Sequence, residues 1–212
     1  MGFIDSEVNE YLRGLQPIDN QLLTEIYQYG LAQEIPIMDP ISMRHVALLS
    51  QLAKPKVIIE IGAAIGFSAM WLALANPGAM VHTIERNPEL VEIAQINLKR
   101  AGLDKRVILH MDEAVEILPQ MPRAQFVFVD AAKRKYRDFY ELALPLLDVG
   151  GLMVFDNVLF RGYIANAAET AARPMLRKLS EFNRFLAADK RVTTNFLTVG
   201  DGLAVAQKLE EL

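Results

Sequence analysis

The feature that most constrains the fold is a strand that runs into a glycine turn, and it reads V-I-I-E-I-G-A-A-I-G-F-S over residues 57–68. A short apolar run ends in Glu60, and Gly62 and Gly66 follow with only small or apolar residues between them. The pattern becomes helical from Ser68 onward. A strand, a tight turn and a helix N-terminus in this order form the place where α/β proteins bind a nucleotide-like ligand. The stretch therefore predicts the first strand of a parallel sheet with a ligand site beside its turn.

Apolar strands and helical segments alternate through the rest of the chain. The predicted strands after the first cover 80–85, 107–111, 126–130 and 152–156, and the predicted helices cover 68–75, 88–101, 113–118, 136–147 and 173–187. Two further strands, 192–197 and 203–207, are joined by V-G-D-G, which is typical of a hairpin turn. This order predicts an α/β, Rossmann-like, doubly wound fold, in which a mostly parallel sheet ends in a C-terminal antiparallel hairpin.

The chain has 212 residues, a length that suits one α/β domain with an accessory segment. We predict an N-terminal helical arm over 1–34, interrupted at Pro17, that packs on the domain or contributes to a dimer. A connector with two prolines, 35–40, starts the predicted domain of 35–212.

Composition narrows the class of protein. A chain that is 52% hydrophobic and 23% charged can bury a core, and the absence of cysteine excludes disulfides, thiolate metal sites and a cysteine nucleophile. The sequence has no apolar run of membrane-spanning length and no signal peptide, so we expect a cytoplasmic protein with no membrane partner. The net charge of −4 gives no overall attraction to nucleic acid, although a local basic surface stays open.

Two classes of ligand fit a glycine turn, a dinucleotide and S-adenosylmethionine. The third glycine of the dinucleotide pattern would fall at Ser68, so that pattern is not met. Glu60 would repel a pyrophosphate but could accept a hydrogen bond from a ligand ammonium. Glu85 ends the second strand, 25 residues after Glu60, where a carboxylate recognises ribose hydroxyls. Asp112 or Glu113, after the third strand, can accept from an adenine amino group. Each acid alone is at least as readily a solvated loop charge or a helix cap, but together they favour a methyltransferase over a dehydrogenase.

Oxygen ligands follow the fourth and fifth strands. Asp130 ends one apolar strand, and Asp156 and Asn157 end the next. Two carboxylates and an amide oxygen at one sheet edge suit magnesium or another hard divalent cation, whereas the alternative is a turn and a cap. Lys133, three residues after Asp130, could take a proton from the acceptor if its pKa is lowered, or it is an ordinary surface lysine. Lys133 and Asp130 are the candidate catalytic residues.

Five motifs together resemble one family. They are E-I-G-x-x-I-G-x-S at residues 60–68, I-E-R-N-P at 84–88, V-F-V-D-A-A-K-x-x-Y at 127–136, D-N-V-L-F-x-G at 156–162 and V-G-D-G-L-A-V at 199–205. The combination is similar to the metal-dependent class I O-methyltransferases of the caffeoyl-CoA and catechol type, from about Ile35 to the C-terminus. Within that family it looks most like the bacterial tRNA 5-hydroxyuridine methyltransferases. In many small-molecule members the metal aspartate is followed by a second acid, which is Ala132 here.

The resemblance implies the class I methyltransferase fold, S-adenosylmethionine and magnesium as cofactors, and a homodimer. The implied metal ligands are Asp130, Asp156 and Asn157. The implied or inferred cofactor residues are Met38, Glu60, Gly62, Ser68, Glu85, Asp112, Glu113 and Asp130, the last of which would touch both ligands.

The sequence is compatible with two classes of methyl acceptor, tRNA and a small molecule, because a catechol and a 5-hydroxyuracil both present a hydroxyl beside a second oxygen. Basic residues cluster at 133–137, and residues 161–191 hold seven basic against three acidic side chains, a local charge of +4. This pattern suits a phosphate backbone, although a basic amphipathic helix is equally common. The leading prediction is methylation of 5-hydroxyuridine at the tRNA wobble position to 5-methoxyuridine. The alternatives are a small catechol-like substrate and a protein that binds S-adenosylmethionine without catalysis.

Overall fold

Seven strands form one mixed sheet in the computed structural model, which describes residues 6–210. The strands are β1 (Val57–Ile61), β2 (Met80–Glu85), β3 (Val107–Met111), β4 (Ala124–Val129), β5 (Leu147–Phe155), β6 (Val192–Leu197) and β7 (Leu203–Lys208). Residues 1–5 of the predicted arm and residues 211–212 of the predicted domain lie outside the described residues.

The strand order across the sheet is β3-β2-β1-β4-β5-β7-β6. Strands β1 to β5 pair in parallel, whereas β7 is antiparallel to both β5 and β6. This arrangement confirms the predicted doubly wound sheet with a C-terminal antiparallel hairpin. The chain order reverses between β1 and β4, and such a switch point opens a crevice at the carboxyl ends of the strands.

Helices cover both faces of the sheet. They are α1 (Ser6–Leu15), α2 (Gln21–Ala32), α3 (Pro40–Ala53), α4 (Phe67–Ala75), α5 (Pro88–Arg100), α6 (Ala114–Ile117), α7 (Tyr136–Ala143), α8 (Ala167–Ala172) and α9 (Pro174–Ala188). Short 3₁₀ segments cover Leu118–Gln120, Lys133–Lys135 and Phe160–Ala165. No helix among residues 6–210 is long and apolar enough to span a membrane.

The central strands are buried on both faces, as their continuous apolar sequences predict. In β4, Phe126 and Phe128 point into the core shared with α3 and α4, whereas Val127 and Val129 point into the core shared with α7 and α9. Helix α2 joins the first of these cores through buried Leu23 and Ile26. Parallel strands buried on both sides leave their carboxyl ends as the accessible edge.

The α7–β5 region differs from the prediction. Helix α7 ends at Ala143 rather than at residue 147, and β5 begins at Leu147 rather than at residue 152. The early residues pair because Leu147 aligns with Ala124 across a register shift, and Gly150 adopts a φ of +80° within the strand. The 3₁₀ segment Phe160–Ala165 and helix α8 lie where no element was predicted.

Candidate active site

A cavity of about 330 Å³ lies at the carboxyl ends of β1, β2, β3 and β4. Seven of the eight predicted cofactor residues line it: Met38, Gly62, Ser68, Glu85, Asp112, Glu113 and Asp130. Lys133 also lines this cavity. The structure therefore brings together side chains that are up to 95 positions apart in the sequence, from Met38 to Lys133.

The glycine turn forms the floor of the cavity. The backbone N–H groups of Gly62 and Ala63 both donate to the carbonyl of Ile84, at 2.9 and 3.0 Å. Gly62 has a φ of +104°, and a Cβ there would lie 2.1 Å from the carbonyl oxygen of Asp130. Only glycine allows the turn after β1 to pass so close to the end of β4. The buried Asn97 side chain, which the sequence analysis missed, donates to the Ile65 carbonyl at 3.0 Å and anchors the turn from α5.

The carboxylate of Glu85 is fixed by backbone N–H groups. One oxygen accepts from Ala64 at 3.0 Å, and the other accepts from Arg86 and Asn87 at 2.9 Å each. These contacts hold the acid at the cavity wall, where it remains available as an acceptor for ligand hydroxyls.

The carboxylate of Glu113 is engaged in two ion pairs. Its oxygens contact Arg86 Nη1 at 2.9 Å and Lys135 Nζ at 3.1 Å. These hydrogen bonds, that to Arg86 above all, lower the pKa of Glu113. Arg86 and Lys135 line the same cavity, and the sequence analysis gave neither of them a cofactor role. Asp112 is exposed and accepts from the backbone N–H of Glu113 at 2.8 Å.

Glu60 is the one predicted cofactor residue that does not line the cavity. Its side chain is fully buried beneath the turn and accepts a hydrogen bond from the hydroxyl of Thr83, its neighbour across the β1–β2 pair. Strand alternation places Glu60 on the sheet face that α4 covers, beneath the cavity and not on its lining, and its contact with a ligand ammonium stays a prediction. Burial raises the pKa of Glu60 to about 7, and hydrogen bonding to Ser68 and Thr83 opposes the rise.

The ends of β4 and β5 bring the two predicted metal carboxylates together. The backbone N–H of Asp156 donates to the Val129 carbonyl at 3.0 Å, directly before Asp130. Asp156 is 4% exposed, and burial together with the nearby charge of Asp130 raises its pKa. Asn157 follows with a φ of +56°, and its N–H donates to Asp156 Oδ1 at 2.7 Å. The two carboxylates repel each other, and a proton or a cation between them would relieve this repulsion.

Two neighbours complete this carboxylate pair. Lys133 Nζ lies 3.1 Å from Asp130 Oδ1, and the two side chains are 21% and 26% exposed. The buried Tyr136 hydroxyl donates to the Asp156 carbonyl at 2.9 Å, and this bond connects the first residue of α7 to the residue that follows β5. Tyr136 is the last residue of the K-x-x-Y motif, but its contact with Asp156 was not predicted.

A metal site of three or more His, Cys, Asp or Glu side chains is absent from residues 6–210. The predicted set consists of two carboxylates and one amide, which is a different donor set. Its oxygens suit a hard divalent cation, and Asp130 has a single lysine as its ion-pair partner among the described residues. The residues present therefore fit the predicted cation.

Comparison with known proteins identifies the family. The family model described as O-methyltransferase matches residues 16–209. The chain belongs to this O-methyltransferase family. It is 34% identical over 181 residues to the catechol O-methyltransferase of Niastella koreensis, covering 80% of each chain. It is 30% identical over 177 residues to the caffeoyl-CoA O-methyltransferase of Populus kitakamiensis, covering 78% of this chain and 75% of that one.

A solved structure supports both the fold and the use of S-adenosylmethionine as methyl donor. The O-methyltransferase from Bacillus cereus, determined in complex with SAH, superimposes with a TM-score of 0.85 at 28% identity. The match covers 95% of this chain and 97% of that one. The predicted class I methyltransferase fold is therefore confirmed, and the protein is an S-adenosylmethionine-dependent O-methyltransferase.

Proposed function

We propose that this O-methyltransferase is magnesium-dependent and that it methylates 5-hydroxyuridine at the tRNA wobble position, giving 5-methoxyuridine. The observation that carries the choice of substrate is a set of exposed basic side chains on α9 and on the segment 133–137, which also carries Lys133. The cofactor, the metal and the substrate are each supported by separate residues.

For the cofactor, we assign S-adenosylmethionine to the cavity above the glycine turn. Glu85 would accept from the ribose hydroxyls, because three backbone N–H groups hold its carboxylate in place. Of the two acids predicted for the adenine amino group, we favour Asp112, since the oxygens of Glu113 already contact Arg86 and Lys135.

For the metal, we assign Asp130, Asp156 and Asn157 as ligands. A bound divalent cation lowers the pKa of a coordinated hydroxyl and holds it in one orientation. Asp130 lines the cofactor cavity and also neighbours Asp156, so the methyl donor and the acceptor would meet at this residue. Asp156 and Asn157, which directly follow β5, do not line the cofactor cavity, and this leaves them for the acceptor side.

Methyl transfer forms a bond between the acceptor oxygen and the methyl carbon, and breaks the bond between that carbon and sulfur. S-adenosylhomocysteine leaves, and the proton of the acceptor hydroxyl must be removed. We propose that Lys133 takes this proton. It is 3.1 Å from Asp130 and lines the cofactor cavity, so it lies within reach of both reactants.

The basic surface consists of α9 and the segment 133–137. Helix α9 buries Leu176, Leu179, Phe182 and Leu186, and it exposes Arg177, Lys178 and Arg184. None of these three cations, nor exposed Arg134, forms an ion pair with another residue of the described range 6–210. The helix lies next to the site, because the Phe182 ring packs 5.6 Å from that of Tyr136. Arg134 directly follows Lys133, and unpaired cations on this segment and on α9 suit a phosphate backbone.

Nucleoside mass spectrometry of tRNA tests the proposal. A strain that lacks the gene should lose 5-methoxyuridine and accumulate 5-hydroxyuridine. The purified protein with magnesium and S-adenosylmethionine should then restore the methyl group on that tRNA. An unchanged 5-methoxyuridine content in the deletion strain would refute the tRNA assignment.

A matched pair of variants tests the metal assignment in the same assay. Asp130→Asn removes a proposed ligand charge with little change in shape and should abolish magnesium-dependent transfer. Asp138→Asn makes the same change on the exposed face of α7 and should leave transfer intact. Equal activities of the two variants would contradict the metal site.

A small catechol-like acceptor is the second candidate. The similarity to a relative named catechol O-methyltransferase favours it, and a vicinal diol would present the same two oxygens to the site. Transfer to catechol by the purified protein, together with unmodified tRNA in vitro and an unchanged deletion strain, would select this function.

A further inference from the structure

The loop that follows β5 has an unusual backbone conformation. Asn157, Phe160 and Arg161 have φ angles of +56°, +43° and +53°, a region that residues with a side chain rarely adopt. Such conformations persist only where surrounding contacts hold them, and they cluster at functional sites. The contacts that hold this loop are therefore informative about the proposed metal ligands within it.

One set of contacts comes from the turn between β6 and β7. The N–H of Val158 donates to the Gly202 carbonyl at 3.0 Å. The N–H groups of Leu159 and Phe160 both donate to the Asp201 carbonyl, at 2.9 and 3.0 Å. Three consecutive residues after Asn157 are thus bound to the backbone of the V-G-D-G turn.

Gly202 makes this close approach possible. Its φ is +90°, and a Cβ at this position would lie 2.4 Å from Leu159 Cγ and 2.8 Å from Leu159 N. An added methyl group would therefore push directly against the loop backbone.

The second contact comes from α9. The side-chain amide of Asn183 donates to the Val158 carbonyl at 2.7 Å, and Val158 itself is fully buried. The turn thus binds the N–H of Val158, and α9 binds its carbonyl. The residue directly before Val158 is Asn157, a proposed metal ligand.

We propose that Asp201, Gly202 and Asn183, together the clamp, are positioning residues that hold Asp156 and Asn157 in the arrangement that binds the divalent cation. The inference rests on the metal site of the proposed function. Its physical basis is that left-handed Phe160 and Arg161 are unfavourable by themselves, so the loop needs bound neighbours to keep its two ligands in register with Asp130.

Calorimetric titration of the full chain with magnesium chloride tests the clamp. In Gly202→Ala and Asn183→Ala, the magnesium dissociation constant should rise by about 10- to 100-fold, as for other residues that orient metal ligands. The affinity for S-adenosylhomocysteine, measured without metal, should stay at the wild-type value and would show that each variant is folded. A purely structural role would instead weaken both affinities together.

Gly102→Ala is the matched control. Gly102 also has a positive φ, +66°, but it lies after α5, and no described residue beyond its chain neighbours comes within 4 Å of the place that its Cβ would occupy. We expect this variant to bind magnesium as the wild type does. If Gly202→Ala does not fold, Asn183→Ala decides, because it removes one side-chain hydrogen bond and leaves the turn unchanged.

Two negative results are distinguishable. Wild-type magnesium affinity in folded Gly202→Ala and Asn183→Ala would overturn the clamp and leave the proposed metal site standing. A wild-type chain that takes up no magnesium would refute the proposed metal site, and the clamp with it.

Discussion

Replacement of Gly62 by alanine should damage the site where the two halves of the sheet meet. A Cβ at Gly62 would lie 2.1 Å from the carbonyl oxygen of Asp130 and 2.9 Å from its carbonyl carbon. A carbon–oxygen contact normally requires about 3.3 Å, so the two backbones must separate by roughly 3.3 − 2.1, or about 1 Å. The residue displaced in this way is Asp130, which we propose as a contact of both the methyl donor and the metal.

The magnitude has two components. A side chain forced into positive φ costs about 1–3 kcal/mol, and the overlap adds about 1–3 kcal/mol of overpacking. We therefore expect Gly62→Ala to lower the free energy of unfolding by about 2–6 kcal/mol. A reacting group misplaced by about 1 Å can lose about 100-fold in rate, which corresponds to about 2.7 kcal/mol of transition-state stabilisation.

Gly102→Ala is the matched control for the backbone component. Gly102 has a φ of +66°, and no described residue beyond its chain neighbours comes within 4 Å of the place that a Cβ would occupy, so only the conformational cost of about 1–2 kcal/mol applies. Urea unfolding measures both stabilities, and initial rates of methyl transfer measure the catalytic effect. A folded Gly62→Ala variant with the activity of Gly102→Ala would refute the argument that close packing at Asp130 sets the geometry.

Three further predictions concern ionisable side chains. If Lys133 accepts the substrate proton, Lys133→Met and Lys133→Arg should both lose about 10²- to 10⁴-fold in the rate of methyl transfer. Arginine fails in this role because its guanidinium stays protonated. An active Lys133→Arg variant would instead show that only the positive charge is needed. Because the folded-state pKa of Glu60 is raised from 4.5 to about 7, the wild type loses stability as the pH rises through that interval and Glu60→Gln does not. Urea unfolding at each pH gives the free energy of unfolding of Glu60→Gln relative to the wild type. This difference should be more positive at pH 8 than at pH 5, and equal differences at the two pH values would contradict the raised pKa of Glu60. The double variant Arg177→Glu, Lys178→Glu should weaken tRNA binding and reduce its dependence on salt concentration, whereas Lys99→Glu on α5 should do neither. Filter binding at several salt concentrations measures both effects. Equal tRNA affinities of the double variant and the wild type would show that α9 does not contact tRNA.

Much of the fold could be predicted from local sequence patterns. Apolar strands alternate with helical segments, and a chain with that order has few alternatives to a parallel sheet. The carboxyl ends of parallel strands meet at one edge, so the sequence alone predicts that Glu85, Asp112 and Asp130 lie near each other. The structure places all three on one cavity.

The boundaries of β5 could not be predicted in the same way. The residues at 148–151 contain two adjacent glycines and look like a turn, but Leu147 finds a partner in Ala124 and the strand starts early. Strand pairing depends on what the neighbouring strand offers, and that information lies more than 20 positions away in the sequence.

The sequence by itself determined the chemistry available at the sheet edge, because residue type and position at a strand end are local properties. Only the tertiary structure decided how each acid is used. Glu60 faces Thr83 under α4, and Glu113 pairs with Arg86 and Lys135, 27 and 22 positions away. The loop carrying Asn157 is held by Asn183 and Gly202, from two elements later in the chain. Hydrogen bonds and ion pairs of this range depend on how helices and turns pack on the sheet, and no local pattern specifies them.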